Sequence, residues 1–261
     1  MTPPPAAAGF HWDDAGAAPV LRCAPLAAVA RHGFTTRHLR LRGADPDAWG
    51  RVAAVVACAP TALHRTRQVH GATVAVVESS MPIGSLPEAD ALVTDVPGAA
   101  LAVVTADCVP VLLADRATGV VAAVHAGWRG TAADVAGAAV RLIGVRWAVP
   151  PTRLVAAVGP SIGACCYEVG DELPAAFAAA GHGESATRRW FARDAAGRLR
   201  LDLWTATRDL LVGAGLSAGQ IHVAGLCTKT HLEWFESYRA EGPAAGRLAA
   251  VIVSPGPAQG V

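Results

Sequence analysis

Three short segments of this chain carry residues that bind zinc well: Gln68-Val69-His70-Gly71, Thr105-Ala106-Asp107-Cys108-Val109-Pro110 and Val124-His125-Ala126-Gly127-Trp128-Arg129-Gly130. Their donors are the imidazoles of His70 and His125 and the sulfur of Cys108. Zinc favours four ligands, so three from the protein leave one position for water or substrate, which separates a catalytic site from a structural one. A metal there would hold Cys108 as thiolate and both rings neutral. Singly, each residue has an ordinary reading. His70 fits a surface or core-satisfied histidine, Cys108 fits a small buried hydrophobe, and separations of 38 and 17 residues match no local zinc motif.

The turn after His125 adds a second kind of chemistry. Gly127-Trp128-Arg129-Gly130-Thr131 joins a strand to a helix start, where free N–H groups and the helix dipole favour an anion. Arg129 would add bidentate donors; the alternative is a plain glycine turn with Arg129 in a surface ion pair. Further on, Phe235-Glu236-Ser237-Tyr238-Arg239 sets a cation beside a ring, suited to an anion or to stacking; the alternative is a solvated loop with Tyr238 packed on the core. Gly159-Pro160-Ser161-Ile162-Gly163 matches a nucleophile elbow, with Asp171 or Asp202 and His222 or His231 as triad partners. An elbow runs straight into a helix, whereas residues 163–170 hold two glycines around a β-leaning middle, so Ser161 is read as shaping a turn.

These groups must be mounted on a frame, and apolar patterning outlines it. Four runs rich in Val, Leu and Ala read as strands buried on both faces: Ala91–Thr94, Ala100–Thr105, Val109–Leu113 and Val120–His125. Further strands are expected at Arg67–Val77 (strand or hairpin), Arg153–Val158, Ile221–Ala224 and Leu248–Val253, with a hairpin over Trp190–Leu203 turning at Asp194-Ala195-Ala196-Gly197. Helices are expected at Asp45–Cys58, with Asp45 as N-cap and Pro46 in the first turn. Others are expected from a Thr131 cap to Val145, at Glu172–Ala180 and at Leu203–Val212. Strands and helices mix without a regular βαβ beat, which points to an α+β fold: mixed sheets in a sandwich-like core with flanking helices. Residues 1–22 are Pro- and Ala-rich and read as a loose tail before one catalytic domain at 23–261.

The 261 residues are 52% hydrophobic and 16% charged, which supports a large core and argues against disorder. A net charge of +1 provides no broad basic face for nucleic acid. No apolar run approaches the ~20 residues that span a bilayer, and Met1-Thr2-Pro3-Pro4-Pro5-Ala6 lacks a signal-peptide pattern, so a cytoplasmic protein is expected. Six cysteines without a CxxC pair are read as reduced thiols.

Several long strings occur in one order: Arg67-Gln68-Val69-His70-Gly71, Ala89-Asp90-Ala91-Leu92-Val93-Thr94, Thr105 to Leu113, Val124 to Thr131, and Gly159 to Gly163 with Cys166-Tyr167-Glu168-Val169. Over residues 30–255 they resemble the YfiH/YlmD-type family, formerly labelled laccase-domain or multicopper polyphenol oxidase and now regarded as purine nucleoside phosphorylases. The resemblance implies zinc, in preference to copper, on His70, Cys108 and His125. It implies phosphorolysis of adenosine, inosine, guanosine and methylthioadenosine, with some adenosine deamination, on an α+β fold. In that reading Arg37, Arg129, Tyr238 and Arg239 hold substrate or phosphate; Cys108 and His125 are catalytic; and Asp107 or Glu168 moves a proton, Asp107 fitting a turn-fixing role equally. The chain departs from the pattern at His38-Leu39-Arg40-Leu41-Arg42, where a glycine pair is usual, and at Ala240, where a second arginine is usual. Rival readings are a copper oxidase (although no His-x-His pair occurs), a cytoplasmic hydrolase of cell-wall precursors with Cys108 as nucleophile and His125 as base, and a non-enzymatic metabolite binder. Monomer and dimer are both compatible with the sequence.

Overall fold

The computed structural model describes residues 2–14, 16, 18–41, 45 and 47–258. Two six-stranded mixed sheets lie face to face. The first runs in the order β1 (Phe10–Asp14), β2 (Pro19–Cys23), β3 (His32–Thr35), β14 (Leu248–Val253), β7 (Ala100–Thr105), β4 (Leu63–His64). The second runs β13 (Ile221–Val223), β10 (Val155–Val158), β8 (Val109–Ala114), β9 (Val121–Ala126), β6 (Ala91–Thr94), β5 (Val74–Val76). A short hairpin, β11 (Phe191–Arg193) with β12 (Leu199–Leu201), stands apart. The helices are α1 (Ala24–Ala27), α2 (Ala48–Val55), α3 (Trp128–Ala132), α4 (Val135–Trp147), α5 (Leu173–Ala179), α6 (Glu184–Trp190), α7 (Leu203–Gly213) and α8 (Tyr238–Glu241).

Side-chain alternation explains the layering. In β8, Val109, Val111 and Leu113 pack with Val135, Val140 and Ile143 of α4 and Leu211 of α7. The intervening Leu112 and Ala114 face Leu101, Val103, Leu248 and Ile252 of the other sheet. On the far side of that sheet, Ala102, Ala249 and Val251 meet Val52 and Val55 of α2. The central strands are thus buried on both faces, as their unbroken apolar runs imply. The α+β architecture expected from the sequence is the one observed, in four layers: helix, sheet, sheet, helix.

Several local expectations give way to specific contacts. Residues 10–14 and 19–23 form the antiparallel hairpin β1–β2 where a loose tail was expected; Trp12 packs on Trp234 with ring centroids 5.3 Å apart. Helix α2 starts at Ala48 without a side-chain cap. The Asp45 carboxylate instead accepts the Asp47 amide and an Arg51 guanidinium N–H, at 2.9 and 2.7 Å. Pro46, expected in the first turn, and Arg42 of the departing segment lie outside the described residues. The single helix expected from a Thr131 cap is two helices. Asp134 turns left-handed (φ 53°) between them and caps α4 by accepting the Gly137 amide, while the Thr131 hydroxyl is buried without a partner among the described residues. Of residues 67–77 only Val74–Val76 becomes a strand.

Candidate metal and substrate site

His70, Cys108 and His125 converge. Their ligand atoms all lie within 4.8 Å of one another, and the two imidazoles meet edge to face with centroids 4.9 Å apart. His125 comes from β9, in the middle of the second sheet, and is 3% exposed. Cys108 sits in the tight connection between β7 and β8, where Asp107 adopts φ 89°. That left-handed step reverses the chain from one sheet into the other and aims the next side chain at His125.

His70 reaches the site by a different route. Segment 67–73 lies along residues 87–90 and is tied at both ends, by Arg67 N to Pro87 O at 2.9 Å and by Asp90 N to Thr73 O at 3.0 Å. Between the ties the loop closes over the buried Asp90 carboxylate, which accepts the amides of Val69, His70 and Gly71 at 3.2, 2.9 and 2.7 Å. Three consecutive N–H groups around one anion form a nest, which holds His70 at φ 60°. Gln68 fixes the same loop from outside, its amide donating to and accepting from the Val104 backbone of β7 at 2.8 and 2.7 Å.

Asp90 also accepts a hydrogen bond from His125 Nδ1 at 2.9 Å. A proton on Nδ1 leaves the Nε2 lone pair free to bind a metal, an arrangement that fixes both tautomer and ring direction. Burial raises the Asp90 carboxyl, but the His125 and amide hydrogen bonds outweigh it, and the group stays ionised with a lowered pKa. Burial likewise raises the Cys108 thiol, yet hydrogen bonding to His125 and His70 brings it down to about 7. His125, which burial alone would lower, is raised to about 9 by Asp90 and Cys108. Both directions favour a thiolate–imidazolium pair, in which a metal bound at Nε2 would take the place of that nitrogen's proton.

The donor set of two nitrogens and one sulfur suits zinc. Room for an ion is kept by Gly127, whose φ of −74° any residue adopts. A Cβ there would stand 2.9 Å from Cys108 Sγ and 3.1 Å from His70 Cδ2. The residues present therefore fit a metal of this class.

The three donors line a cavity of about 530 Å³ together with Thr66, Asp107, Tyr167, Tyr238, Arg239 and Arg247. Burial pushes the Tyr167 hydroxyl up to about 12, with Cys108 adding to the shift, so it stays protonated. Thr66 contributes a buried hydroxyl without a partner among the described residues. Tyr238 is 54% exposed at the rim, not packed on the core. Arg239 lies over the Tyr167 ring at 5.0 Å and donates to the Glu168 carbonyl at 2.6 Å. Asp107 is committed on both oxygens, accepting the Thr228 hydroxyl and the Arg239 amide, each at 2.6 Å.

Other residues singled out from the sequence stand outside this cavity. Arg37 is spent on the Leu232 carbonyl and on Glu236 and Glu241. Arg129 is exposed and stacks on Trp128 at 4.2 Å. Glu168 lines the adjoining groove, with Oε2 3.8 Å from both Arg198 and Arg200. Ser161 is buried and accepts Trp204 Nε1 at 2.7 Å, and no histidine among the described residues bonds it, which fits its reading as a turn residue. Asp90, Gln68 and Arg247 received no role from sequence reasoning. Asp90 did leave a signal: it is a carboxylate placed directly before an unbroken apolar, buried strand.

Fold and site together define a class: a layered αββα protein with a His–Cys–His donor set at the mouth between its sheets. The family model described as multi-copper polyphenol oxidoreductase laccase matches residues 47–255, and the chain belongs to that family, in its YfiH/YlmD branch. It is 42% identical over 253 residues to a purine nucleoside phosphorylase of Deinococcus radiodurans, covering 91% of this chain and 93% of that one. It is 38% identical to adenosine deaminase RL5 from an unidentified prokaryote, covering 69% and 71%. The crystal structure of YfiH from Bacillus licheniformis superposes with a TM-score of 0.85 at 28% identity, covering 95% and 99%.

Proposed function

We propose that this chain is a zinc-dependent purine nucleoside phosphorylase acting on adenosine, inosine, guanosine and methylthioadenosine, with adenosine deamination as a second activity of the same site, working in the cytoplasm. One observation carries the reading. The three donor atoms within 4.8 Å of one another open into a cavity whose wall also carries Arg239 and Arg247. Its volume suits a nucleoside. The names of the relatives support the substrate class.

In phosphorolysis the bond from the anomeric carbon to the purine nitrogen breaks as a phosphate oxygen bonds that carbon. The base leaves with the electron pair, and the proton of hydrogen phosphate ends on it. Arg239 and Arg247 hold the phosphate dianion in line with the sugar, which supplies orientation and charge stabilisation. Tyr238 offers an exposed ring for stacking the base. His70, Cys108 and His125 would hold the zinc, which would supply Lewis-acid charge stabilisation and, for deamination, a lowered pKa of water. Asp90 keeps His125 in the ligating tautomer. Asp107 holds the cavity wall through Thr228 and Arg239.

A second reading draws on a specific contact. Cys108, His125 and Asp90 form the chain of thiol, base and orienting carboxylate that a cysteine hydrolase needs. One experiment separates the two: incubation of the purified protein with adenosine, with and without phosphate, followed by chromatography. Free adenine with sugar 1-phosphate, formed only with phosphate, is the expected result. Absence of phosphate-dependent cleavage for every purine nucleoside, with a cleaved amide in cell-wall precursors, would overturn it. Metal analysis showing several coppers per chain would favour the oxidase that the family description names.

A further inference from the structure

A second cluster of soft donors stands beside the first site. Cys165, Cys166 and Cys227 bring their sulfurs within 4.8 Å of one another. Bonds of about 2.3 Å to a single ion set thiolates roughly 4 Å apart, a spacing this cluster reaches by small side-chain rotations. The backbone already holds the partners in place. Ser161 and Cys227 form a parallel bridge, with Ser161 N on Leu226 O at 3.2 Å and Thr228 N on Ser161 O at 3.1 Å. The turn carrying the other two cysteines closes on Gly163 O through Cys166 N and Tyr167 N, at 2.9 and 3.0 Å. Gly163 N in turn donates to Cys227 Sγ at 3.3 Å, a contact that favours the thiolate.

The surroundings match what such a site would carry. Cys227 is 4% exposed, Cys166 is half-buried and Cys165 is exposed. The ion would therefore have one buried side and one open side. The open side faces a groove of about 610 Å³ lined by Lys229, Arg198, Arg200 and Arg239. Three thiolates around a monovalent or divalent cation leave net negative charge. Lys229, close enough to act on Cys166, offsets part of it, while Arg198 and Arg200 are already paired with Asp194 and lie near Glu168. The proposed first site does not use any of the three cysteines. Adjacent Cys165 and Cys166 are poorly placed to bridge each other, so a disulfide would have to consume Cys227.

We propose that Cys165, Cys166 and Cys227 form a second metal site, a three-thiolate site for a soft d10 cation, zinc(II) or copper(I), open to the basic groove. Binding displaces the thiol protons to solvent and changes no oxidation state.

The test is metal titration of the full chain, stripped of metal and kept reduced with a phosphine. Zinc(II) and copper(I) are added in separate arms, each against a competing chromophoric chelator. Cadmium(II) charge-transfer absorption reports the number of thiolates bound. Two equivalents per chain are expected in at least one arm. Cys165→Ser, which alters an exposed residue, should lose one equivalent and most of the cadmium absorption. Cys108→Ala should lose the other equivalent and keep most of the absorption. Retention by zinc alone, or by copper(I) alone, supports the site and identifies its ion. An unchanged stoichiometry and absorption in a folded Cys165→Ser chain would overturn the proposal. So would mass mapping that finds Cys227 in a disulfide persisting under the same reductant.

Discussion

Asp90 and His125 are joined twice. The Asp90 carboxylate accepts His125 Nδ1 at 2.9 Å, and the Asp90 carbonyl accepts the His125 amide at 2.7 Å. The same carboxylate gathers three amides of the loop that carries His70. One buried side chain thus sets the direction of one proposed ligand and the backbone of another. Asp90→Asn keeps the volume but cannot accept all these donors. Its metal affinity is expected to fall by about 10–100-fold, read by chelator competition. Asp90→Ala, which leaves several donors unpaired, should cost about 3 kcal/mol of stability in denaturant titrations. Wild-type affinity in Asp90→Asn would show that the carboxylate does not position the ligands.

Gly127 tests the site from the opposite direction. Its backbone angles suit any residue, so Gly127→Ala should fold. The added methyl would stand 2.9 Å from Cys108 Sγ, inside ordinary contact distance. The expected outcome is an unchanged far-ultraviolet spectrum with metal content and nucleoside cleavage both reduced at least tenfold. Full metal content in that variant would mean that the ion does not sit where the glycine makes room.

The frame was legible in the sequence because its strands are apolar on both faces. Ala91–Thr94, Ala100–Thr105 and Leu248–Val253 were read with the bounds they have. Elements whose cause lies in tertiary contact were not legible. The β1–β2 hairpin is hidden in a Pro- and Ala-rich stretch and is held by Trp12 on Trp234. The break between α3 and α4 depends on a left-handed Asp134 that no apolar period marks. At the site, donor identities were readable as residue types. Arg37 and Arg129 looked equally suited to phosphate, and only the fold shows one spent on Glu236 and Glu241 and the other stacked on Trp128. Arg247 lacked any motif, and it lines the cavity because β14 pairs with β7.

His32 makes a pH prediction independent of the site. In β3 it is buried, accepting the Cys23 amide on Nε2 at 2.9 Å and facing the Ala30 carbonyl with Nδ1 at 3.1 Å. Only the neutral ring satisfies both. Burial lowers its pKa to about 4, against opposition from the Ala30 carbonyl; in an unfolded chain it titrates near about 6.5. Between those values the unfolded state binds more protons, so stability falls as pH drops from about 6.5 to about 4 and is complete above that window. The contribution is about 3 kcal/mol. Urea titrations across that range should show a shallower slope for His32→Gln than for the native chain. Parallel slopes would mean that His32 titrates normally in the folded state.

Asp107 separates anchoring from proton transfer. Its left-handed φ of 89° is one that asparagine tolerates, so Asp107→Asn removes the charge without forcing the backbone. The amide retains an acceptor for Thr228 but sets N–H against the Arg239 amide, losing one charge-assisted bond. An anchor predicts a stability loss of about 1–3 kcal/mol. It also predicts a several-fold rise in KM as the segment carrying Tyr238 and Arg239 loosens, with kcat within a few-fold of native. A proton carrier predicts the opposite split: kcat down by about 10²–10⁴-fold, one limb of the pH–rate profile gone, and KM unchanged. With both carboxylate oxygens already engaged at 2.6 Å, carrying a proton would require Asp107 either to give up the Arg239 amide or to turn the Thr228 hydroxyl round. That cost favours the anchor, and a missing pH limb in Asp107→Asn would refute it.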